Sequence, residues 1–480
     1  MVHSPAALER QNLKAAHSTD YAMTDGLDAE QLTQRFQAVK DVLYEDLREL
    51  IAQPSVSARN EGVEECAGLV SEMMRRDGFD VERHPTKGGR PILLAKLGDP
   101  SRQTTILLYN HYDVQPPEPL DEWRSPPFEL VERGGLLYGR GVSDNKADLA
   151  ARLAAVRLLR DALGEMPLAV RWVVEGEEEV GSISLAEFVE RKGAELKADG
   201  CLWESGDIGE AGVPNFYLGV KGMLYVEISA RTAEGDRHSM YAPIIPNAAW
   251  SLLRLLNSLK SLDERVLIKG FYDDVRRPSR SELALLRGLR FSGKEMRLSL
   301  GVKRLLPGAD SLLLRRLVMA PTCNIAGLVS GYTGSGGKTI VPATASAKLD
   351  FRLVPDQRPE KILALLKRHA KRFGDFEIQV HSQAYPARSD PDSPLVRSST
   401  EAAEDCYGLR PQVWPSMFGT GPMALVTRLG IPAGMLNCIA HTGSNLHAPN
   451  ENIFADHLHR GVVHLALTFN NFARRGRGPA

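Results

Sequence analysis

Ala169-Val170-Arg171-Trp172-Val173-Val174 runs straight into Glu175-Gly176-Glu177-Glu178-Glu179-Val180-Gly181-Ser182. The first part is short, mostly apolar and unbroken, which suits a strand buried on both faces. The second part places four glutamates within five positions at the end of that strand. Such a group repels itself unless cations neutralise it; the plain alternative is a solvated acidic loop. Outward from this stretch, similar runs bounded by turn residues recur at 92–97, 105–109, 136–138 and 201–203. Helical spacing marks 30–51, 63–77, 146–163 and 185–190. Strands alternating with helices predict an α/β domain, its sheet covered by helices on both sides.

Beyond Leu218 the pattern changes. Residues 223–230 alternate as a half-exposed strand does, and 248–262 form an amphipathic helix. A basic, Leu-rich helical stretch fills 264–320. Strands at 324–328 and 344–354, a helix at 358–373 and a strand at 376–381 follow. Strand-helix-strand-strand-helix-strand is a split βαβ pattern, so 219–387 reads as a smaller α+β domain inserted into the first. The linker-like 386–394 returns the chain. The expected organisation is a flexible tail at 1–28, a first domain from 29–218 and 388–480, and the insert, with 264–320 as an insertion within it.

The 480 residues are 25% charged and 43% hydrophobic, ordinary for a globular chain. Lys+Arg is 59 against Asp+Glu 60, a net charge of −1, so no global basic field exists to hold nucleic acid or an anionic membrane. No apolar run approaches the ~20 residues that span a bilayer, and the polar N-terminus lacks a signal-peptide core. Five widely spaced cysteines form no C-x-x-C pair; they read as reduced thiols in a cytoplasmic protein.

Acids and histidines collect in loops. Asn110-His111-Tyr112-Asp113 ends the 105–109 strand, where alternation points His111 and Asp113 the same way. An Asp so placed can hold the ring as a metal ligand, though a bare His–Asp pair is commonplace. Tyr138-Gly139-Arg140-Gly141-Val142-Ser143-Asp144-Asn145-Lys146 puts Asp144 at a helix mouth, where an ordinary N-cap would also sit. Glu204-Ser205-Gly206-Asp207 closes another strand. His441-Thr442-Gly443-Ser444-Asn445-Leu446-His447-Ala448-Pro449-Asn450-Glu451 is a loop with two histidines. Taken together, four strand ends of one α/β domain carry His111/Asp113, Asp144, Glu178/Glu179 and Glu204. Open α/β sheets bind ligands beyond the carboxyl ends of their strands. Carboxylates with imidazoles and no thiolates suit Zn, Mn or Co. Two histidines and three carboxylates, one bridging, suit two divalent ions ~3.5–4 Å apart. Without cations such a cluster is expected to be strained.

The motifs HYDV, GRGVSDNK, EGEEEVGS and HAPNE, in this order, resemble the di-zinc amidohydrolase family of carnosinases, glutamate carboxypeptidases, succinyl-diaminopimelate desuccinylases and aminoacylases. GRGVSDNKA, GSGGKTIVP and FRLVP are most similar to the carnosinase-like dipeptidases. The resemblance implies His111 on one metal, Asp144 bridging, and Glu204 completing the first site. Glu204 is preferred to Asp207 because it directly follows its strand. Glu179 and His447 would hold the second metal. Glu178 would be the general base and Asp113 would orient His111; Glu177 is left as surface charge. In the inserted lid/dimerisation domain, Asp236-Arg237-His238-Ser239-Met240 is similar to a segment whose histidine enters the neighbouring subunit's site. Arg237 and Met240 depart from its usual Leu and Gly. Asn247, Arg352 and the Gly419-Thr420-Gly421 loop would bind substrate, with Arg352 on its carboxylate. What the resemblance implies is a homodimeric metallopeptidase with two divalent ions, most readily Zn. It would cleave dipeptides or short peptides with a free C-terminal carboxylate, through a hydroxide bridging the metals. N-acyl or N-carbamoyl amino acids are the alternative substrates on the same site.

Gly331-Tyr332-Thr333-Gly334-Ser335-Gly336-Gly337-Lys338-Thr339 looks like a phosphate loop, but its spacing is one residue too long. A strand, not a helix, is expected after it, so it reads as a flexible hairpin.

Overall fold

The computed structural model describes residues 27–476, so all but the last two residues of the expected 1–28 tail lie outside the described region. A six-stranded sheet organises the larger core, in the order Asp80–His84, Ile92–Leu97, Ala169–Glu175, Thr105–His111, Gly200–Leu202, Ala433–Gly434. The last four of these run parallel and the first two are antiparallel additions. Every residue of Thr105–His111 is buried. Alternation divides its side chains between two cores. Ile106 and Leu108 join Val170, Trp172 and Val174 on one face, whereas Leu107 and Tyr109 join Val173 and Trp203 on the other. Helices Lys146–Leu163 and Ala455–Gly476 cover the first face, and Leu185–Lys192 covers the second.

Three expectations need correction here. The 30–51 helix is two helices, Ala29–Arg35 and Gln37–Ala52, meeting at Phe36. Asp80–His84 is an edge strand whose charged residues hid it from an apolar-run search. The strand Leu136–Tyr138 does not belong to the main sheet. It lies in a separate three-stranded sheet between Val131–Arg133 and Asn452–Phe454. Asp144 therefore does not follow a strand of the main sheet.

The second core is a four-stranded antiparallel sheet ordered Thr322–Ser330, Thr344–Leu353, Gly222–Arg231, Glu377–Ala384. Gly222–Arg231 alternates strictly, with Leu224, Val226, Ile228 and Ala230 inward against helices Ala248–Leu259 and Pro359–Ala370. This is the split βαβ arrangement. Two short strands connect it to the larger core, Gly219–Val220 and Ala387–Arg388, and they pair with each other. They approach so closely that a Cβ on Gly219 would lie 2.1 Å from the Ala387 carbonyl oxygen. Within 264–320 the helices are Arg280–Gly288, Gly293–Ser299 and Asp310–Met319. Their apolar residues Leu289, Leu314, Val318 and Met319 pack on Trp414, outside the four-stranded core. The Gly331–Thr339 run opens no helix; it leads into Ile340–Val341, which pairs with Arg237–His238. Among the described residues no helix is long and apolar enough to cross a membrane.

His464, on the C-terminal helix, is wholly buried with Nε2 donating to the Ser399 carbonyl at 3.0 Å and Nδ1 unpartnered. Burial pushes its pKa down to about 4. Unfolded, a histidine titrates near 6.5, so below that pH the unfolded chain binds more protons. Stability contributed by the neutral ring is complete above pH 6.5 and is lost as pH falls toward 4. Urea unfolding at pH 7 and pH 5 should differ by roughly 2 kcal/mol from this group alone. His464→Gln should flatten that part of the profile; an unchanged slope would remove the assignment.

Candidate active site

Three adjacent parallel strands deliver their C-terminal ends to one place: Thr105–His111 ends in His111, Ala169–Glu175 leads to Glu178 and Glu179, and Gly200–Leu202 leads to Glu204. The separate three-stranded sheet supplies the rest. Its strand Leu136–Tyr138 precedes the turn with Asp144, and the loop before Asn452–Phe454 carries His447. Gly141 takes φ +85° in that turn, a conformation only glycine adopts readily, and its carbonyl accepts from Lys146 N–H at 2.9 Å.

Asp144 sits at the centre. His111 Nε2 donates to Asp144 Oδ1 at 2.9 Å, and His447 Nε2 to Asp144 Oδ2 at 3.1 Å. His447 Nε2 also lies 3.3 Å from Glu179 Oε2. Asp144, Glu179 and His447 place one donor atom each within 4.8 Å of one another. Burial opposes ionisation of Asp144, but the two imidazoles prevail and hold its carboxyl well below the usual carboxylate range. His447 is correspondingly raised to about 10 by its contacts with Asp144 and Glu179. Burial works against a charge on His111, yet Asp113 and Asp144 lift it well above the usual imidazole value. Its Nδ1 donates to the Asp113 carbonyl at 3.0 Å, which leaves Nε2 for the cluster.

The carboxylates divide by environment. Burial, then the charges of Asp144 and Glu179, pushes Glu178 up to about 7 against the opposing pull of His111. Glu204 is half-buried with its Oε1 enclosed and unpartnered, and desolvation and Glu178 raise it far above the normal range. Asp113 is wholly buried and its carboxylate accepts from Glu178 N–H at 3.2 Å and Glu179 N–H at 3.0 Å. It thus fixes both the His111 ring and the two-glutamate turn. Asp207 is occupied elsewhere, accepting from Asn215 Nδ2 at 2.8 Å and Tyr217 Oη at 2.6 Å.

This donor set fits divalent cations. It contains an orphaned buried carboxylate oxygen at Glu204, a carboxylate whose two oxygens face two different imidazoles, and no thiolate. His111 meets one oxygen of Asp144, and His447, itself beside Glu179, meets the other.

Other expected site residues fall in two groups. Arg352, from the four-stranded sheet, donates to Thr420 Oγ1 at 2.7 Å, so the arginine and the Gly419-Thr420-Gly421 loop meet. Its Nε also donates to Asp350 Oδ2 at 3.2 Å. His238 and Asn247 stand apart. His238 is exposed on its two-stranded ribbon, with Nδ1 accepting from Met240 N–H at 3.1 Å. Asn247 caps helix Ala248–Leu259, with Oδ1 accepting from Trp250 N–H at 3.2 Å. Among the described residues, no hydrogen bond or ion pair joins either of them to the cluster.

Two residues depart from the sequence reading. Glu177 is not surface charge: it is buried and accepts from Thr86 Oγ1 at 3.1 Å and Ser184 N–H at 2.8 Å. The motif held Glu451 without assigning it work. Its carboxylate accepts from Arg140 Nη1 at 2.7 Å and from the N–H groups of Gly141, Ser143 and Asp144 at 2.8, 2.7 and 2.9 Å. It anchors the Asp144 turn to the His447 loop. The signal available was a glutamate four residues beyond a candidate ligand and an arginine inside a glycine turn. Glu451→Ala strips Arg140 of its buried counter-charge and three backbone donors of their acceptor. It should cost about 3–5 kcal/mol in urea unfolding; a loss below 1 kcal/mol would show that the turn holds itself.

Comparison with known proteins places this geometry. The description "Peptidase family M20/M25/M40" matches residues 107–471. A Cys-Gly metallodipeptidase of Saccharomyces cerevisiae is 27% identical over 410 residues, covering 79% of this chain and 84% of the relative. A Beta-Ala-His dipeptidase of Rattus norvegicus is 28% identical over 386 residues, covering 77% and 76%. Among solved structures, an M20 family metallo-carboxypeptidase from Sulfolobus solfataricus superposes with a TM-score of 0.82 at 39% identity, covering 90% of this chain and 99% of that one. The chain belongs to peptidase family M20/M25/M40 and is a metallopeptidase.

Proposed function

We propose that this protein hydrolyses the amide bond of dipeptides or short peptides bearing a free C-terminal carboxylate, using two divalent cations. The observation that carries the reading is Asp144, whose two carboxylate oxygens face His111 and His447 separately. In it, His111, Glu204 and Asp144 hold one cation, and Glu179, His447 and Asp144 the other, Zn fitting the imidazole–carboxylate set best. When bound, the pair lowers the pKa of water toward neutrality and polarises a carbonyl.

The protein's own groups do the rest. Glu178, poised near neutrality, takes the proton of the attacking water and returns it to the leaving amine. Asp113 keeps that glutamate and its neighbour at fixed distance through their N–H groups. Arg352 offers a guanidinium steadied by Thr420 and Asp350 to the substrate carboxylate. Relatives named for Cys-Gly and Beta-Ala-His dipeptides and for carboxypeptidase action share a requirement for a chain end. We take residues 29–218 and 388–480 as the catalytic domain and 219–387 as lid and dimerisation domain. The edge strand Thr322–Ser330, with Ile325, Leu328 and Val329 exposed, supports a homodimer through that domain, since an open edge invites pairing. In it His238 would serve the neighbouring site, and Asn247 would line the substrate's path. Five free cysteines, four of them buried, support a reducing, cytoplasmic setting.

Chelator should abolish hydrolysis and Zn or Mn restore it. Glu178→Gln should keep both cations by elemental analysis while kcat falls about 10²–10⁴-fold; near-normal turnover would exclude Glu178 as the base. A panel of dipeptides, C-terminally amidated dipeptides, and N-acyl and N-carbamoyl amino acids decides the substrate. Amidation should raise KM in the wild type, and Arg352→Met should erase that difference. Equal rates with and without amidation would refute the carboxylate contact.

A further inference from the structure

Helix Lys146–Leu163 starts two residues after Asp144 and buries a charged pair that the proposed chemistry does not use. Asp148 and Arg152 are both fully buried and lie four residues apart, one above the other on a single helix face. Arg152 Nη1 donates to the Tyr109 carbonyl at 2.5 Å and to Asn110 Oδ1 at 2.6 Å, and Nη2 donates to the Trp203 carbonyl. Asp148 Oδ1 accepts from Ser205 Oγ and from Asn437 Nδ2, the latter at 3.2 Å. Its Oδ2 accepts from Asn145 Nδ2 at 3.3 Å, and Asn145 accepts in turn from Asn110.

All the partners but Asn437 share one property: each lies within two residues of a member of the cluster. Tyr109 and Asn110 lead into His111, Trp203 and Ser205 flank Glu204, and Asn145 follows Asp144. The two side chains therefore hold residues beside three donors, through backbone at Tyr109 and Trp203 and through side chains at Asn110, Ser205 and Asn145. These three donors are the set assigned to one cation, Asp144 being shared with the other. Glu179 and His447 are held by other means. Gln115 Nε2 donates to Glu179 Oε2 at 2.8 Å, and the His447 loop hangs from Glu451 and Asn452. Burying an aspartate and an arginine is a costly way to attach a helix, because apolar residues of similar volume do so at least as well. Geometry that must be held to fractions of an ångström is a different demand, and outer contacts of this kind supply it.

We propose that Asp148 and Arg152 are positioning residues that set the affinity of the cation site built from His111, Glu204 and Asp144, and act far less on the Glu179–His447 site, which shares only Asp144 with it. The proposal rests on the two-cation reading above. Its test titrates metal-free protein with Zn²⁺ by calorimetry and counts bound metal by elemental analysis, in the wild type, Arg152→Met, Arg152→Lys, Asp148→Asn and Arg157→Met. Arg157 is the control: it lies on the same helix, largely buried, paired with Asp46 at 2.7 Å and Asp77 at 2.6 Å, remote from any cluster residue in the chain.

Arg152→Met and Asp148→Asn should keep one tight Zn²⁺ and bind the other about 10–100-fold more weakly. Arg152→Lys should recover part of that loss. Arg157→Met should unfold at lower urea yet bind both ions as the wild type does. Asp148→Asn, nearly isosteric, decides the matter where Arg152→Met does not fold. Wild-type affinity at both sites in Asp148→Asn, or equal weakening of both sites in step with stability, overturns the proposal alone. A wild type that binds fewer than two ions overturns the two-cation reading and this inference with it.

Discussion

Asp144, Glu178, Glu179 and Glu204 are crowded around two imidazoles in a largely buried space, and everything near them answers that accumulation of negative charge. Two like charges 4 Å apart repel by about 4 kcal/mol at an effective dielectric constant near 20. The protein relieves this in three ways. His111 and His447 hold extra protons against Asp144. Glu178 and Glu204 resist ionisation. The flanking carboxylates Asp113 and Glu451 are answered on their own, both by backbone N–H groups and Glu451 also by Arg140. Cations would replace the first two with a stronger solution, and for that reason the arrangement suits them.

Much of this was legible because strand ends are punctuated. An apolar run that stops at His-Tyr-Asp, Glu-Gly-Glu-Glu-Glu or Glu-Ser-Gly-Asp announces both the sheet and the acidic pocket at its strand ends, and candidates such as His111, Glu179 and Glu204 stand out in the sequence alone. What could not be read depends on partners far away in the chain. Glu177 looks like solvated loop charge until Thr86 and Ser184 enclose it. Glu451 looks like loop charge until Arg140, 311 positions away, reaches it. Leu136–Tyr138 is a strand by any local test, but only Asn452–Phe454 shows that it belongs to a different sheet. Local periodicity predicts an element; the choice of sheet is a long-range decision.

The same limit explains the inserted part. Its alternating strand and two amphipathic helices were readable, since Leu224, Val226 and Ile228 face one core and the polar positions face away. The helical stretch 264–320 carried no such instruction. Its apolar residues divide between two places: Val266, Ile268 and Phe271 join the four-stranded core, whereas Leu289, Leu314, Val318 and Met319 bury themselves on Trp414, far later in the chain. A sequence can show that such a segment is helical without showing which core it joins.

The division into two cores has a consequence for the substrate. All the cluster residues come from one core, whereas Arg352 stands on the four-stranded sheet of the other and crosses to Thr420. The chain passes between the two through the paired strands Gly219–Val220 and Ala387–Arg388, packed too tightly at Gly219 to admit a side chain. Two chain segments paired in this way bend together, not independently. On the proposed function, the scissile amide and the terminal carboxylate would then be gripped from opposite sides of a single hinge. On that reading the gap between the grips would measure the substrate, and a longer peptide would have to hold that hinge open. Selection for short substrates would need no dedicated wall in such a design; it would follow from placing the proposed carboxylate contact and metal ligands on different cores.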